Sequence, residues 1–398
     1  MNILQINTAD TKGGAGKVAY QLKNRLNQRG QKASMIVSKK YSSDSDVSLI
    51  RPYNNLRQRI LRKLSYLLAD DLDFYGSDRI LKNPLLKNSD IVHCHNLHSY
   101  YFNLSTLQKI SKIKPVVWTF HDMWPLTAHC AHSFNDKVEN GFFVCPSMDI
   151  YPPIAWHNEK YLESKKRQIY EKSDFHIVVP SLWLKNKVEK SLLHNKPISL
   201  IYNGVDTNIF KPIDRKSCRQ ELGLPQDKKT ILILAKRGIS NPWKGGSYAE
   251  DAIQILADRQ DLFIINIGGD DNTTVGNRKF ISFIKDESIL AKYYSAADIL
   301  LYPSLADNCP LVALEAQACG LPLVTFKTGG IPEIIGHKET GYLADYKSTS
   351  DLINGLKFFL ESNLLEMSRK STQNAAARFS LGTMVDKYTK LYLDILKK

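Results

Sequence analysis

Seven residues separate two carboxylates in the second half of the chain: Asp307 and Glu315, in the run Asp307-Asn308-Cys309-Pro310-Leu311-Val312-Ala313-Leu314-Glu315. An ionised carboxylate only accepts hydrogen bonds, and each can take a pair of sugar hydroxyls. Two at this spacing can grip two different sugars of one ligand. The run before them, Ile299-Leu300-Leu301-Tyr302-Pro303, is apolar and reads as a buried strand. After them Ala316-Gln317-Ala318 continues a helix that Gly320 stops. One acid is therefore expected in the loop at a strand's C-terminal end and the other on the helix that follows. In open α/β sheets that edge is where ligands bind.

Other residue sets suggest chemistry that fits these acids. Lys236-Arg237-Gly238 ends a strand candidate, and Lys244-Gly245-Gly246 lies in the next loop. Two fixed cations at the mouth of a sheet suit a diphosphate leaving group, whose charge builds as a sugar–phosphate bond breaks. The bland alternative is exposed basic residues in a basic protein. Lys12-Gly13-Gly14-Ala15-Gly16 follows the first strand and opens a helix, where backbone N–H groups attract anions and glycine lets a ligand approach. Val18 stands where a P-loop needs Ser or Thr, and a plain strand-to-helix turn is the other reading. His121 follows the strand ending at Phe120 and could donate to a sugar hydroxyl as a neutral imidazole. His93 and His95 alternate on one face of a strand, a spacing open to a metal. Cys130 and Cys145, with His129 and His132, are a weaker zinc candidate. A mobile insertion over Thr127–Pro152 is the preferred reading there.

These residues need a scaffold, and the apolar runs supply one. Strands are expected at Ile3–Ile6, Ser34–Val37, Ile91–Cys94, Val116–Phe120 and Phe175–Val179 in the first half, with a helix from about Lys17 to Gln28. The second half repeats the style at Thr230–Ala235, Phe263–Ile267, Ile299–Leu301 and Leu323–Thr325, and Phe283-Ile284-Lys285 ends a further short strand. Strands alternating with helices read as parallel sheets covered on both faces. Tyr202-Asn203-Gly204-Val205-Asp206, ending at Phe210-Lys211-Pro212, reads as the linker.

A chain of 398 residues suggests two domains. No apolar run is long enough for a spanning helix, and the start reads as a strand, not a signal peptide. Six scattered cysteines do not form a disulfide framework, so a cytoplasmic protein is expected. The net charge of +14 admits nucleic acid, an anionic membrane face or a polyanionic substrate. No nucleic-acid-binding motif is present, which argues against the first. Leu56, Ile60, Leu64, Leu67 and Leu68 share one helical face, with Arg57, Arg59, Arg62 and Lys63 around it. This is either a basic helix lying on lipid at the inner membrane face or a helix packed on its own core.

An acid, seven residues, then Glu-Ala resembles the acidic motif of retaining glycosyltransferases with the GT-B fold, notably family 4. That resemblance implies two Rossmann-like doubly wound domains facing across a cleft that closes over the donor. Residues 1–202 would be the acceptor domain and 203–379 the nucleotide-sugar domain, with the helix at 380–398 packing back on the first. It implies Glu315 on the ribose of a UDP- or GDP-sugar and Asp307, here Asp where the family usually has Glu, on the transferred sugar. Arg237 and Lys244 would meet the diphosphate, and Gly14 and Ala15 would lie nearest it from the other domain. His121 would face the cleft. Pro310, Leu311 and Val312 would line the donor, and main-chain groups near Ile284 would hold the base. Gly329-Gly330 resembles the loop that follows the motif in the family. Trp124 and Tyr101 could stack on sugar rings or simply pack in the core. The implied reaction is metal-independent, needs no cofactor, retains configuration, and uses a glycan or lipid-linked acceptor. A nucleotide-sugar epimerase or hydrolase, or a non-catalytic anion binder, are the alternatives. In this picture cations sit at one end of the sugar diphosphate and acids at the other.

Overall fold

The computed structural model describes residues 1–50, 56–73, 77–234, 242–256, 259–270 and 272–397. The chain divides into two compact units, Met1–Tyr202 with Met384–Lys398, and Asn203–Thr383.

The first unit carries β1 (Asn2–Ala9), β2 (Lys32–Lys39), β3 (Val47–Leu49), β4 (Ile91–Cys94), β5 (Val116–Thr119), β6 (Val138–Glu139), β7 (Phe142–Phe143), β8 (His176–Val179) and β9 (Ile198–Leu200). Seven of these form one sheet in the order β3-β2-β1-β4-β5-β8-β9, every pairing parallel. Strands β4 and β5 are buried along their whole length, as expected of parallel strands covered on both faces. The order reverses direction between β1 and β4, which places the switch point where Ile6 lies beside Cys94. Strands β6 and β7 form a separate antiparallel hairpin.

The second unit carries β10 (Lys229–Leu234), β11 (Leu262–Gly269), β12 (Thr273–Val275), β13 (Arg278–Ser282), β14 (Ile299–Tyr302), β15 (Leu323–Phe326) and β16 (Gly341–Ala344). Their order is β12-β13-β11-β10-β14-β15-β16, parallel except where β12 meets β13. The switch point falls between β10 and β14, with Ile233 beside Leu301. A core of Ile231, Ile233, Leu301, Val324, Leu352 and Phe359 fixes the sheet against its helices.

The glycine-rich segment after β1 is itself helical. The helix runs Gly13–Gln28, so it starts about four residues before the expected Lys17. Strand β13 ends at Ser282, and Phe283, Ile284 and Lys285 lie just beyond it. The chain's last helix, Leu381–Leu396, buries Tyr388, Leu391 and Tyr392. Within the first unit, the Tyr392 and Tyr388 hydroxyls meet His93 Nδ1 at 2.7 Å and Thr119 Oγ1 at 2.9 Å.

Candidate active site

Strand β14 delivers Tyr302 to the C-terminal edge of the second sheet, and Asp307 follows in the loop. The Lys244 ammonium lies 2.8 Å from both Asp307 carboxylate oxygens and 3.0 Å from the Tyr302 hydroxyl. The Tyr302 hydroxyl in turn donates to Asp307 Oδ2 at 2.6 Å. All three Lys244 protons thus have acceptors, and acid, phenol and ammonium form a closed triangle. Burial would depress the Lys244 pKa, but the charge of Asp307 and the Tyr302 contact outweigh it and hold the pKa above the usual lysine value. Burial and the same carboxylate push the Tyr302 phenol up. Both groups keep their protons across the physiological range. The acid and the cation were expected at opposite ends of a ligand; they are a contact pair.

The backbone around this triangle leaves no slack. Gly245 caps the helix Gly246–Ile255 with φ of 64°. A Cβ there would stand 1.9 Å from the Pro303 carbonyl oxygen. Gly329 has φ of 55°, and a Cβ there would stand 1.8 Å from the Asp307 carbonyl oxygen. The Gly329-Gly330 loop is therefore packed on the acid loop, and Gly330 N–H donates to the Asp307 carbonyl at 3.3 Å. Asn203, from the linker, donates its side-chain amide to the Cys309 carbonyl at 2.8 Å. Gly245→Ala is expected to destabilise the second unit by about 2 kcal/mol, because it combines a left-handed backbone with a backbone clash. A thermal melt checks this, with Gly276→Ala as control: Gly276 also has φ of 58° but nothing within 4 Å of its Cβ position.

The helix Leu311–Ala318 starts at Pro310 with no side-chain cap, so its first backbone N–H groups belong to Leu311 and Val312. Glu315 lies on its second turn and is 4% exposed, so it is not a solvated acid. The Tyr294 hydroxyl donates to Glu315 Oε2 at 2.9 Å. Tyr302 and Tyr294 are the two site residues that sequence reasoning missed. Both sit in apolar runs, where a tyrosine counts as core, and only their distance in sequence from the acids hinted otherwise. Arg237 and Lys236 lie outside the described residues. Ile284 is half-buried beyond β13.

Gly14, Ala15 and His121 belong to the first unit. Gly14 is exposed and Ala15 half-buried on the opening turn of Gly13–Gln28. His121 follows β5, and its Nε2 lies 2.9 Å from His95 Nδ1. Burial, reinforced by His98 and partly opposed by Asp122, lowers the His121 pKa to about 4, so the imidazole is neutral at pH 7. His98 Nε2 meets Asp122 Oδ2 at 3.0 Å. His95, His98, His121 and Asp122 line a small pocket at the C-terminal edge of the first sheet.

His93, one of the histidines open to a metal, is tied into the fold. Both His93 ring nitrogens are engaged, by Thr119 and Tyr392 at 2.7 Å each. Among the described residues no group of three His, Cys, Asp or Glu could hold an ion. The segment Thr127–Pro152 is not a loose insertion: Thr127, His129, Cys130, Phe142 and Phe143 are buried, and Leu192 N–H donates to the Gly141 carbonyl at 2.9 Å. Cys130 N–H donates to Cys145 Sγ at 3.3 Å. Trp124 and Tyr101 are core residues. The Trp124 indole donates to Asp71 Oδ2 at 3.1 Å, and the Tyr101 hydroxyl to the Asn96 carbonyl at 2.6 Å.

Two switch-point sheets, the second carrying a paired acid and cation beside a helix start, are the build of a GT-B glycosyltransferase. Residues 12–209 match the model of "Glycosyltransferase Family 4", and residues 214–378 match that of "Glycosyl transferases group 1". The chain belongs to the family 4 glycosyltransferases. It is 25% identical over 422 residues to the putative colanic acid biosynthesis glycosyl transferase WcaC of Escherichia coli (strain K12), covering 99% of this chain and 100% of that one. Among solved structures, sucrose-phosphate synthase from Thermosynechococcus elongatus superposes with a TM-score of 0.74 at 17% identity, covering 100% of both chains. HepE of Anabaena, in complex with UDP, gives a TM-score of 0.67 at 16% identity, covering 99% of this chain and 100% of that one.

Proposed function

We propose that this glycosyltransferase moves a sugar from a nucleoside diphosphate sugar to a glycan or lipid-linked acceptor, with retention of configuration and without a metal ion. The observation that carries the reading is the Lys244–Asp307–Tyr302 triangle at the switch-point edge of the second sheet. In this reading Lys244 exchanges its Tyr302 contact for a phosphate oxygen as the sugar–phosphate bond breaks. Arg237 is assigned to the same diphosphate. Together these cations supply the charge compensation that a metal brings in other enzymes. The N–H groups of Leu311 and Val312, at a helix start, add donors for the same anion. Asp307, fixed by Lys244 and Tyr302, meets the hydroxyls of the transferred sugar, and Glu315, oriented by Tyr294, meets the ribose. Gly14, Ala15 and His121 serve the donor and acceptor from the first unit, and the backbone near Ile284 holds the base. The leaving diphosphate's own oxygen takes the acceptor's proton. A lipid-linked acceptor would be met at a membrane face; among the described residues no helix is long and apolar enough to cross a membrane.

Incubation with UDP- and GDP-sugars, with and without acceptor and with chelator present, tests the proposal. UDP is the first choice, since HepE was solved with UDP-glucose. Acceptor-dependent release of the nucleoside diphosphate supports transfer, a new free sugar isomer supports epimerisation, and loss of activity with chelator rejects the metal-free reading. Glu315→Gln is expected to weaken donor binding by roughly tenfold, the cost of replacing one charged hydrogen-bond partner. Titration calorimetry with UDP measures it, and unaltered affinity would remove Glu315 from the site.

A further inference from the structure

Cys145 alone among the six cysteines is not buried. It lies on the segment Thr127–Pro152, where the fold brings it against Cys130, fifteen positions earlier. Cys130 N–H donates to Cys145 Sγ at 3.3 Å, and the two side chains are themselves in hydrogen-bond contact. The Cys130 side chain is fully buried, so the outer sulfur has the inner one directly behind it.

A third group completes the cluster. His129 is fully buried, and its Nδ1 lies 3.0 Å from the Pro152 carbonyl. A carbonyl only accepts, so Nδ1 carries the proton and Nε2 of the neutral ring is a bare acceptor. That Nε2 is buried with no nitrogen or oxygen partner, a costly state for a polar atom. The Cys145 sulfur lies at hydrogen-bonding range of the ring. Taking the thiol proton would give Nε2 its partner and leave a thiolate beside an imidazolium, the pairing that activates a cysteine. The surroundings favour that state. Burial alone would raise the Cys145 thiol, but the Cys130 thiol, the His129 ring and the His129 N–H outweigh it and bring it down to about 4. The Lys166 ammonium, held by the Trp124 and Thr127 carbonyls at 2.6 and 2.9 Å, adds positive charge. Glu163 is the opposing charge, and burial together with Cys145 raises its carboxyl to about 7. A structural zinc takes four ligands, and the cluster offers two thiols and one imidazole. His132, the other ring nearby in sequence, stacks on Trp183 with centroids 5.6 Å apart.

We infer that Cys145 is a peroxide-reactive thiol and Cys130 its resolving partner. The Cys145 thiolate attacks one oxygen of hydrogen peroxide, the O–O bond breaks, and the second oxygen leaves as hydroxide, which a proton converts to water. Cys145 is then a sulfenic acid. The Cys130 sulfur displaces its hydroxyl, and the Cys130 proton leaves with it as a second water. The sum is two thiols and one peroxide giving one disulfide and two waters, with two electrons passing from sulfur to oxygen. An external dithiol reverses it by exchange. The reaction needs neither donor nor acceptor, so its failure is distinguishable from failure of the transfer reading.

Full-length protein is treated with hydrogen peroxide, its remaining thiols are alkylated, and its peptides are weighed. A Cys130–Cys145 cross-link that dithiothreitol removes is expected. In the untreated protein, Cys145 is expected to react with iodoacetamide at pH 6 at least tenfold faster than any other cysteine. Between pH 8 and pH 6 its rate should change less than twofold, where an ordinary thiol slows by about a hundredfold. In Cys130→Ser the oxidation should stop at a sulfenic acid on Cys145 that dimedone traps, and in His129→Gln the alkylation at pH 6 should slow by about tenfold. Thermal melts of both variants show that the fold survives, and the measurements on the unmodified sequence decide the matter if either does not. Peroxide treatment without the cross-link, or a Cys145 that alkylates no faster than the buried thiols, overturns the inference. So does purified protein that carries one equivalent of zinc released by alkylation of Cys145, which would make the cluster a metal site instead.

Discussion

Lys244→Met is expected to lower kcat/KM by about a hundredfold to a thousandfold, the usual cost of removing one fixed charge from a developing anion. Methionine keeps the length of the stem and deletes only the ammonium. Two routes to this loss can be separated. If Lys244 meets the diphosphate, the ammonium acts on the leaving group, and Asp307→Asn with Lys244→Met should together cost more than either alone. If Lys244 serves only to hold Asp307, the carboxylate 2.8 Å away, the double variant should be no worse than Asp307→Asn. A double-mutant cycle on kcat/KM gives the answer, and UDP affinity gives an independent one: only the first route weakens binding of the nucleotide alone. Since Lys244 is held above the usual lysine pKa, it should contribute no titration to the pH–rate profile below pH 10. Wild-type turnover in Lys244→Met would remove the triangle from the chemistry altogether.

The positions of Asp307 and Glu315 were legible because punctuation surrounds them. An apolar run, a polar loop, Pro310 and a helix ended by Gly320 fix which acid lies in the loop and which on the helix. Their partners were not legible. Tyr302 and Tyr294 supply the hydroxyls that orient the two acids, but each is also a good core residue, and one-dimensional pattern cannot tell a packed ring from an aimed hydroxyl. Lys244 and Asp307 are 63 positions apart, and only the adjacency of β10 and β14 brings their loops together. The same limit explains the helix at residues 56–67. Its periodicity was readable, but periodicity gives the stripe and not what covers it. Here the stripe is exposed, against the alternative of a helix packed on its own core. Strands β3, β9 and β12 escaped notice because each has only three residues. The hairpin in Thr127–Pro152 was hidden for a different reason. Its strands have two residues each, and the segment is fixed by long-range burial of Phe142 and Phe143 instead of by its own pattern.

The first unit is expected to be the acid-sensitive one, losing about 2 kcal/mol of stability for each buried neutral ring between pH 7 and pH 5 while the second changes little. His93 and His95 are fully buried and held well below the usual imidazole pKa, mainly by desolvation and further by neighbouring histidines. His121 is lowered to about 4 for the same leading reason. Unfolded, these rings bind protons as pH falls through about 6.5; folded, they do not. The unfolded state therefore binds more protons below that value, and stability falls with pH by about 1.4 kcal/mol per unit for each fully buried ring. The stability is fully present above the unfolded pKa and is lost progressively beneath it. Asp71 acts in the opposite sense, because burial raises its pKa and acid relieves its charge, so the decline should flatten toward low pH. Nine of the ten histidines lie in residues 1–202, and the second unit holds His337 alone. Four of the five tryptophans, Trp118, Trp124, Trp156 and Trp183, also lie in the first unit. Intrinsic fluorescence in a denaturant titration thus reports mainly on that unit, and hydrogen exchange of the second supplies the comparison. A fluorescence midpoint that is unchanged from pH 7 to pH 5, or a second unit that opens first, would mean that His93 and His95 are not held neutral by the packing of β4, β5 and the last helix.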